Sequence, residues 1–594
     1  MSDYRLPFKD ILFVLKELIG IEALNKLPSL TAITEGDLSA ILETAGKFAS
    51  ERLAPLNRCG DLQGAILKNG NVQTTPGFPE VYQAYCDAGW SSCSADPTYG
   101  GQGLPQVINT ALFDGWNAAN LSFSLCNTLT ESAAQLISQH GTIKQRNTYL
   151  PKLISGEWTG AMAMTEPQAG SDVGSILCSA TPETNAYRLK GQKIFISWGD
   201  HDLAQNIIYL VLARLPDSPT GSRGISLFVV PKFLPDGKGG IDQRNDVQCI
   251  NIETKLGIHA SPTCVMEFGS KEGALGWLVG EPNRGLNAMF TMMNIARLAV
   301  GNEGLGIAER AYQQASGYAK SRFQGKNKNN SPLKIIDYPD VQRMLLSMKA
   351  RVEAMRALCY DAALSVDLSR HHPDQKIKTF YHDRVALLTP IVKAWCTDGA
   401  VEVTSTNIQI HGGAGYIEDT GAPQLYRDAR ITPIYEGTNG IQARDLVTRK
   451  IGDDDGFAMN AFIEEMRQFD GALSTSNDRT IAAIRGRFAE AGTALARTTH
   501  SIIDLLKSDP NTAEAAATPF LKLAGTVIGG YYMARSALIA ERKIMENTTK
   551  NDFYRSKLIT ALFYAENILP EAASSALAAT GGAAAVTQMQ PEYY

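Results

Sequence analysis

The sequence predicts a multidomain α+β protein: helical segments flank a single β-rich one, and a further helical segment follows. Three observations predict it. The chain has 594 residues, more than one core serves. Short β-rich runs are confined to the stretch between Gly160 and about Gly280. On both sides of that stretch, apolar residues recur at three- and four-residue steps. The predicted divisions are an N-terminal extension (1–37), an N-terminal helical domain (38–158), a middle β-domain (159–282), a C-terminal helical-bundle domain (283–452) and an additional helical domain (453–594).

Each element has a local reason. From about Leu38 to Trp158 the pattern is helical with turn-rich breaks, the clearest being the Gly- and Pro-laden Asp96–Pro105. Strand-like runs follow at Tyr187–Ile196, Ile207–Leu212, Ile225–Val230 and Val265–Phe268, separated by Gly, Pro and Asp. Leu286, Met289, Met293, Ala296 and Val300 then share one face of a predicted helix. A second long helix is predicted over Val341–Leu368. A third is predicted to begin at Thr389–Pro390, with Thr as cap and Pro at the first helical position, and to run to His411. There Gly412–Gly413 can end it with φ > 0. Asp453–Gly456 reads as a boundary; helix-forming sequence resumes to about Ala578, and the low-complexity Gly581–Ala585 tail is predicted to be mobile. No internal repeat is visible.

Composition excludes several function classes. The chain is 44% hydrophobic and 20% charged, with a formal net charge of -5. A weakly acidic total lacks the basic footprint of a nucleic-acid binder. The nine cysteines are scattered, with no CxxC and no zinc-like Cys/His spacing, so buried reduced thiols and no metal site are expected. The first 20 residues mix both charge signs and read as neither a signal nor a transit peptide. No apolar stretch reaches the ~18 residues of a membrane helix, so no integral membrane association is expected and a cytoplasmic location is.

Four segments carry candidate chemistry. In Ala161–Asp172 (AMAMTEPQAGSD), an apolar run enters a Pro/Gly loop with Thr165 and Ser171 on either side. Such a loop can aim backbone N–H groups at a ligand's oxygens, or be an ordinary turn. In Gly191–Ser197 (GQKIFIS), alternation puts Phe195 and Ser197 on one strand face, suited to a flat cofactor or to plain packing. Gln409–Tyr416 (QIHGGAGY) would let backbone approach a pyrophosphate, or simply cap a helix, with His411 a structural hydrogen-bonder. In Tyr435–Gln442 (YEGTNGIQ), Glu436 follows apolar Ile431, Pro433 and Ile434, and a dry setting would raise its pKa.

Together, in this order and spacing, TEPQAGSD, GQKIFIS, QIHGGAGY and YEGTNGIQ resemble the landmark segments of the acyl-CoA dehydrogenase family, over roughly Leu38–Ile451. The N-terminal extension and the helical region after Asp455 are similar to the large bacterial subgroup that includes 3-methylmercaptopropionyl-CoA dehydrogenases and long-chain enzymes. The resemblance implies that the C-terminal helical domain is a four-helix bundle and that FAD is the cofactor.

It also implies residue roles. Met162, Met164 and Thr165 would lie near the isoalloxazine, with Phe195 and Ser197 on its other side. Arg322, Gln409, Gly412 and Gly413 would reach the FAD of a partner subunit, and Thr438 and Asn439 the adenine half of their own. Around Gln324 the motif is one residue shorter than usual. Ser171, Asn294 and Arg297 would meet the CoA chain, Asn294 standing where the family often has Asp, and Tyr435 and Gly437 would meet substrate beside the base. Glu436 matches the base. A minority of members place it just before the arginine matching Arg297, where Ala296 cannot accept a proton.

The implied reaction is α,β-dehydrogenation of an acyl-CoA to a trans-2-enoyl-CoA in fatty-acid β-oxidation: Glu436 takes the α-proton and flavin N5 the β-hydride. An electron-transferring flavoprotein is the implied electron acceptor and a homodimer the implied assembly. Alternatives are 3-methylthiopropionyl-CoA as the specific substrate, an acyl-CoA oxidase, and a DNA-associated homologue. The last needs a basic C-terminal domain, whereas the residues after Asp455 are slightly more acidic than basic.

Overall fold

The structure, a computed structural model, describes residues 4–546 and 551–594. Contacts divide the chain into two units: Ala45–Pro105 with Ala119–Ala299, and Asp3–Thr44 with Gln106–Ala118 and Val300–Tyr594. Before the sheet come α1 (Phe8–Leu12), α2 (Glu35–Phe48), α3 (Ala54–Gln63), the hairpin β1 (Ile66–Lys68) and β2 (Asn71–Gln73), α4 (Phe78–Asp87), α5 (Gln106–His140) and α6 (Ile143–Ser155). The hairpin breaks the helical region predicted from Leu38, and its turn is Asn69–Gly70, both at positive φ. That dipeptide is a strong hairpin signal. In α5, Asn120 leaves helical geometry, and its Oδ1 accepts from the Phe123 N–H (3.1 Å) as a local cap. Thr142 and Gln145 form a reciprocal capping box at the start of α6.

The sheet of the first unit contains β3 (Trp158–Ala163), β4 (Ser179–Glu183), β5 (Ala186–Ser197), β6 (Asn206–Arg214), β7 (Ile225–Pro231), β10 (Val247–Ile252), β11 (Thr263–Phe268) and β12 (Ala274–Val279); β8 (Phe233–Pro235) and β9 (Ile241–Arg244) form a separate hairpin. The order is β10-β11-β5-β12-β7-β6-β3, and β4 pairs with both β5 and β6, so part of the sheet closes on itself. The four predicted strands fall within β5, β6, β7 and β11. Strands β6 and β7 are buried almost throughout, hence their continuous Val/Ile/Leu runs. Leu189, Tyr209, Phe228 and Phe268 belong to their core.

Helix α7 (Gly285–Ser321) belongs partly to each unit. The second unit continues with the hairpin β13 (Phe323–Lys326) and β14 (Pro332–Lys334), then α8 (Pro339–His371), α9 (Gln375–His411), α10 (Ala422–Ala429) and α11 (Asn439–Asp445). After them come α12 (Phe457–Leu473), α13 (Arg479–Ser508), α14 (Pro510–Ala515), α15 (Ala517–Met545), α16 (Asn551–Phe563), α17 (Glu571–Leu577) and α18 (Ala583–Gln588). One expectation is corrected here. The third long helix starts fourteen residues earlier than Thr389, at Gln375, where Asp374 caps the Lys376 N–H (2.7 Å), and Pro390 lies inside it. Burial of Leu387, Leu388, Ile391 and Val392 outweighs the ~3 kcal/mol a helix-interior proline costs. The tail beyond Gly581 forms α18, with Ala579 and Ala583 buried.

The bundle, the N-terminal extension and the last helices share one polar interior. Arg356 of α8, 1% exposed, binds Asp10 of α1, Asp114 of α5 (2.7 Å) and Glu309 of α7 (2.8 Å), while Lys557 of α16 binds Asp10 and Glu353 (3.1 Å). Helix α7 lies close against α9 at Gly304, where a Cβ would come within 2.9 Å of the Cys396 carbonyl oxygen. All nine cysteines are free thiols.

Candidate active site

In the first unit, β3 runs out into the loop that holds the first motif. Ala161 and Ala163 are fully buried, while Met162 and Met164, on the opposite face, are half-buried, as is Thr165. Glu166 organises the loop from its floor. Its Oε1 accepts from Lys193 Nζ (2.7 Å) and Cys178 N (3.0 Å), and its Oε2 from Leu177 N (2.7 Å) and Gln168 Nε2 (2.8 Å). Burial raises this carboxyl, but the Lys193 ammonium and the N–H donors outweigh burial and hold it below the ordinary value. Lys193 also donates to Met164 O (2.9 Å), and Ile194 N to Thr165 O (2.9 Å), tying the loop to β5. Ser171 is exposed.

The predicted alternation of Phe195 and Ser197 does not survive in its simple form. Lys193 pairs with Met266 and Ile196 with Cys264, so two residues of β5 oppose one of β11. Phe195 sits in this bulge at φ 58 and is 59% exposed, and Ser197 is half-buried. The bulge re-aims the aromatic out of the sheet. On α7, Arg297 is buried and donates to Asn294 Oδ1 (3.4 Å), while Asn294 is exposed.

In the second unit, Arg322 is exposed at the end of α7, and Gln409, Gly412 and Gly413 are exposed at the end of α9. His411 stacks on Tyr318 (4.2 Å between centroids) and bonds Asn407 O through Nδ1 (2.8 Å), which sets these two helix ends side by side. Burial pushes its imidazole below the usual range, a structural setting. Gly412 has φ 60, and a Cβ at either glycine would meet nothing within 4 Å, so the backbone there is open. Tyr416 beside it is 86% exposed.

Glu436 lies in the turn between α10 and α11. Tyr435 N donates to Ile431 O (3.2 Å), Asn439 N to Pro433 O (2.9 Å), and Gln442 Nε2 to Gly437 O (3.1 Å). Thr438 Oγ1 accepts from Ile441 N (3.2 Å), capping α11. Asn439 fastens the turn to α9: its Oδ1 accepts from Lys393 Nζ (2.8 Å) and its Nδ2 donates to Asp398 Oδ1 (2.7 Å). This frame holds Glu436 at φ 56 and Gly437 at φ 86. A non-glycine residue there costs about 1–3 kcal/mol and gathers at functional sites. Glu436 is half-buried with its Oε2 shielded from water, and Ile434 is exposed.

Tyr435 points its hydroxyl at Glu303 of α7, and this carboxyl was not singled out in the sequence. Burial pushes Glu303 up to about 8; the Tyr435 hydrogen bond and Lys393 pull it down, and the Glu436 charge pushes it further up. A signal was present: Glu303 continues the stripe Met289, Met293, Ala296, Val300, so a carboxylate stands in an apolar row. Among the described residues no group of His, Cys, Asp and Glu could hold a metal ion, and no helix is long and apolar enough to cross a membrane.

The β-domain carries an out-turned aromatic and the helical unit a carboxylate on a strained turn, and the relatives of the chain set the class: a flavin-dependent oxidoreductase. Comparison with known proteins gives the family. Models match for "Acyl-CoA dehydrogenase, N-terminal domain" (residues 35–157), "middle domain" (161–270) and "C-terminal domain" (283–451), and for "Acetyl-CoA dehydrogenase C-terminal like" (458–590). The chain belongs to the acyl-CoA dehydrogenase family. It is 43% identical to the 3-methylmercaptopropionyl-CoA dehydrogenase of Ruegeria pomeroyi, over 96% of each chain, and 34% identical to a butyryl-CoA dehydrogenase of Syntrophomonas wolfei, over 96% of this chain and 95% of that one. A Bacillus anthracis acyl-CoA dehydrogenase solved with FAD shares the fold (TM-score 0.74, 20% identity, covering 98% of this chain and 92% of that one). FAD is the family's cofactor, and residues here fit it: an exposed Phe195 ring and half-buried methionines suit a flat ring system, and the open Gly412–Gly413 backbone and Arg322 suit a diphosphate.

Proposed function

We propose that this chain oxidises an acyl-CoA thioester to a trans-2-enoyl-CoA, with Glu436 removing the α-proton. The observation that carries the reading is the backbone of Glu436, held at φ 56 by a turn bonded to α9 and α11. Strain of this kind persists only where surrounding structure enforces it, and here it fixes one carboxylate. An α-proton is too weakly acidic for a carboxylate in water; a shielded Oε2 and an N–H aimed at the thioester oxygen bring the two affinities together. The Glu436 N–H is the donor we assign to that oxygen. Bound FAD supplies the acceptor for the β-hydride. Met162, Met164, Thr165, Phe195 and Ser197 serve the ring system; Thr438, Asn439, Arg322, Gln409, Gly412 and Gly413 the rest of the cofactor; Ser171, Asn294, Arg297, Tyr435 and Gly437 the substrate.

The relatives named for 3-methylmercaptopropionyl-CoA and butyryl-CoA both span nearly the whole chain, which supports a short acyl group and a place in acyl-CoA breakdown. An electron-transferring flavoprotein as electron acceptor and a homodimer complete the reading; exposed Tyr416, Ile417 and Phe323 favour the latter. The test is Glu436→Gln. We expect the holoenzyme to keep its flavin absorbance and to lose turnover on 3-methylmercaptopropionyl-CoA and butyryl-CoA by about a thousandfold. Turnover in this variant equal to the wild type refutes the assignment.

A further inference from the structure

Glu303 lies outside every motif above, yet it sits behind the proposed base. It is 1% exposed, on α7, and its Oε2 accepts the Tyr435 hydroxyl, one residue before Glu436. Its other oxygen, Oε1, is buried with no hydrogen-bond partner. The charged groups acting on it are Glu436 on the same turn as Tyr435, and Lys393 on α9. Lys393 is itself fully buried and bonds Asn439, which fastens the far side of the turn. Two elements, α7 and α9, thus converge on the segment Tyr435–Asn439.

We propose that Glu303 is a positioning residue for α-proton abstraction: its carboxyl fixes Tyr435, and through the next peptide the left-handed Glu436, and its proton keeps a second negative charge away from the base. This rests on the role of Glu436 proposed above. The geometry supports both halves. A single neutral donor, the Tyr435 hydroxyl, is too little to stabilise a fully buried carboxylate, and a lone unsatisfied oxygen is what a protonated acid tolerates better than an anion. Burial accordingly pushes Glu303 to about 8, so at neutral pH Glu303 adds no second negative charge beside Glu436. Once Glu303 ionises at higher pH, Glu436 works beside a like charge opposed by Lys393.

The experiment compares holoenzymes of wild type, Glu303→Leu and Glu303→Gln on butyryl-CoA and 3-methylmercaptopropionyl-CoA from pH 6 to 9.5. Glutamine keeps an oxygen for Tyr435 and cannot ionise; leucine removes both functions. We expect Glu303→Leu to lower kcat about thirtyfold with KM within about threefold, a loss confined to the reacting state. The wild type should show an inflection near pH 8, and Glu303→Gln should recover most of the kcat at pH 7 and lose that inflection. Should Glu303→Leu fail to hold flavin, Tyr435→Phe takes its place, with a lowered kcat and a displaced inflection expected. The proposal is overturned if Glu303→Gln matches the wild type at every pH, or if Glu303→Leu, or Tyr435→Phe in its place, has a kcat within twofold of the wild type. A wild type inactive on both thioesters, or an active Glu436→Gln, instead removes the dehydrogenase reading itself.

Discussion

Two buried glutamates in the two units have opposite fates. Glu166, under the Met162–Ser171 loop, receives four donors, one of them the Lys193 ammonium, and stays ionised. Glu303, behind the Glu436 turn, receives one hydroxyl and keeps its proton to about pH 8. Both are nearly inaccessible, so burial alone does not separate them. The count and charge of the donors does. A carboxylate with a cation and three N–H groups can serve as a rigid floor for a loop. One left half-satisfied responds to charge nearby, which is what a group adjacent to a proton acceptor must do. The first region is scaffold and the second is tunable.

Removing the cation from the scaffold is the largest test of this contrast. Lys193→Met leaves Glu166 buried with three donors and no countercharge, and breaking such a pair costs about 3–5 kcal/mol. We expect denaturant unfolding of the first unit to move to markedly lower urea. A variant as stable as the wild type would mean that the N–H groups alone hold the carboxylate.

The two glutamates also set opposite pH dependences. Glu303 is raised in the folded state, so the folded protein binds more protons than the unfolded between the ordinary carboxyl value and about 8; stability falls as pH rises through that window. Asp367, which caps α5 through Gln106 N (2.7 Å) and Val107 N (3.0 Å), is pushed by burial to about 7 and acts in the same sense. Glu166 is lowered, so its contribution is present above the ordinary value and lost as pH falls below it. Glu303→Gln should therefore reduce the loss of stability between pH 5.5 and 8.5, read as a smaller drop in Tm, by up to about 3 kcal/mol if burial acts in full. An unchanged drop would place the ionisation elsewhere.

Much of this was legible in the sequence. Strands β6 and β7 carry near-continuous apolar runs, β5 and β11 hold shorter β-rich stretches, and the motifs Thr165–Asp172 and Tyr435–Gln442 hold both loops. What was missed is either interrupted or non-local. Strand β4 carries Pro182 and β12 carries Gly276, both of which weaken a strand pattern. The β1–β2 turn was announced by Asn69–Gly70 and passed over. Pro390 misplaced the start of α9 because local propensity yields to a buried helix face. The links from Arg356 to Asp10, Asp114 and Glu309, and from Glu303 to Tyr435, join residues more than 40 positions apart, and no spacing rule foresees them.

The smallest test addresses the frame of the tunable region. Thr438 was expected to touch FAD, and its hydroxyl caps α11 by accepting from Ile441 N (3.2 Å). Helix α11 has seven residues, so its cap is a sizeable part of what holds the turn carrying Glu436. Thr438→Ala should cost about 1 kcal/mol and lower Tm slightly, and Thr438→Ser should restore it. Both variants should titrate with FAD as the wild type does if capping is the hydroxyl's main duty. A tenfold weaker FAD affinity in Thr438→Ala, restored by Ser, would show instead that the cofactor draws on the same oxygen, and that this turn is shared between base and flavin.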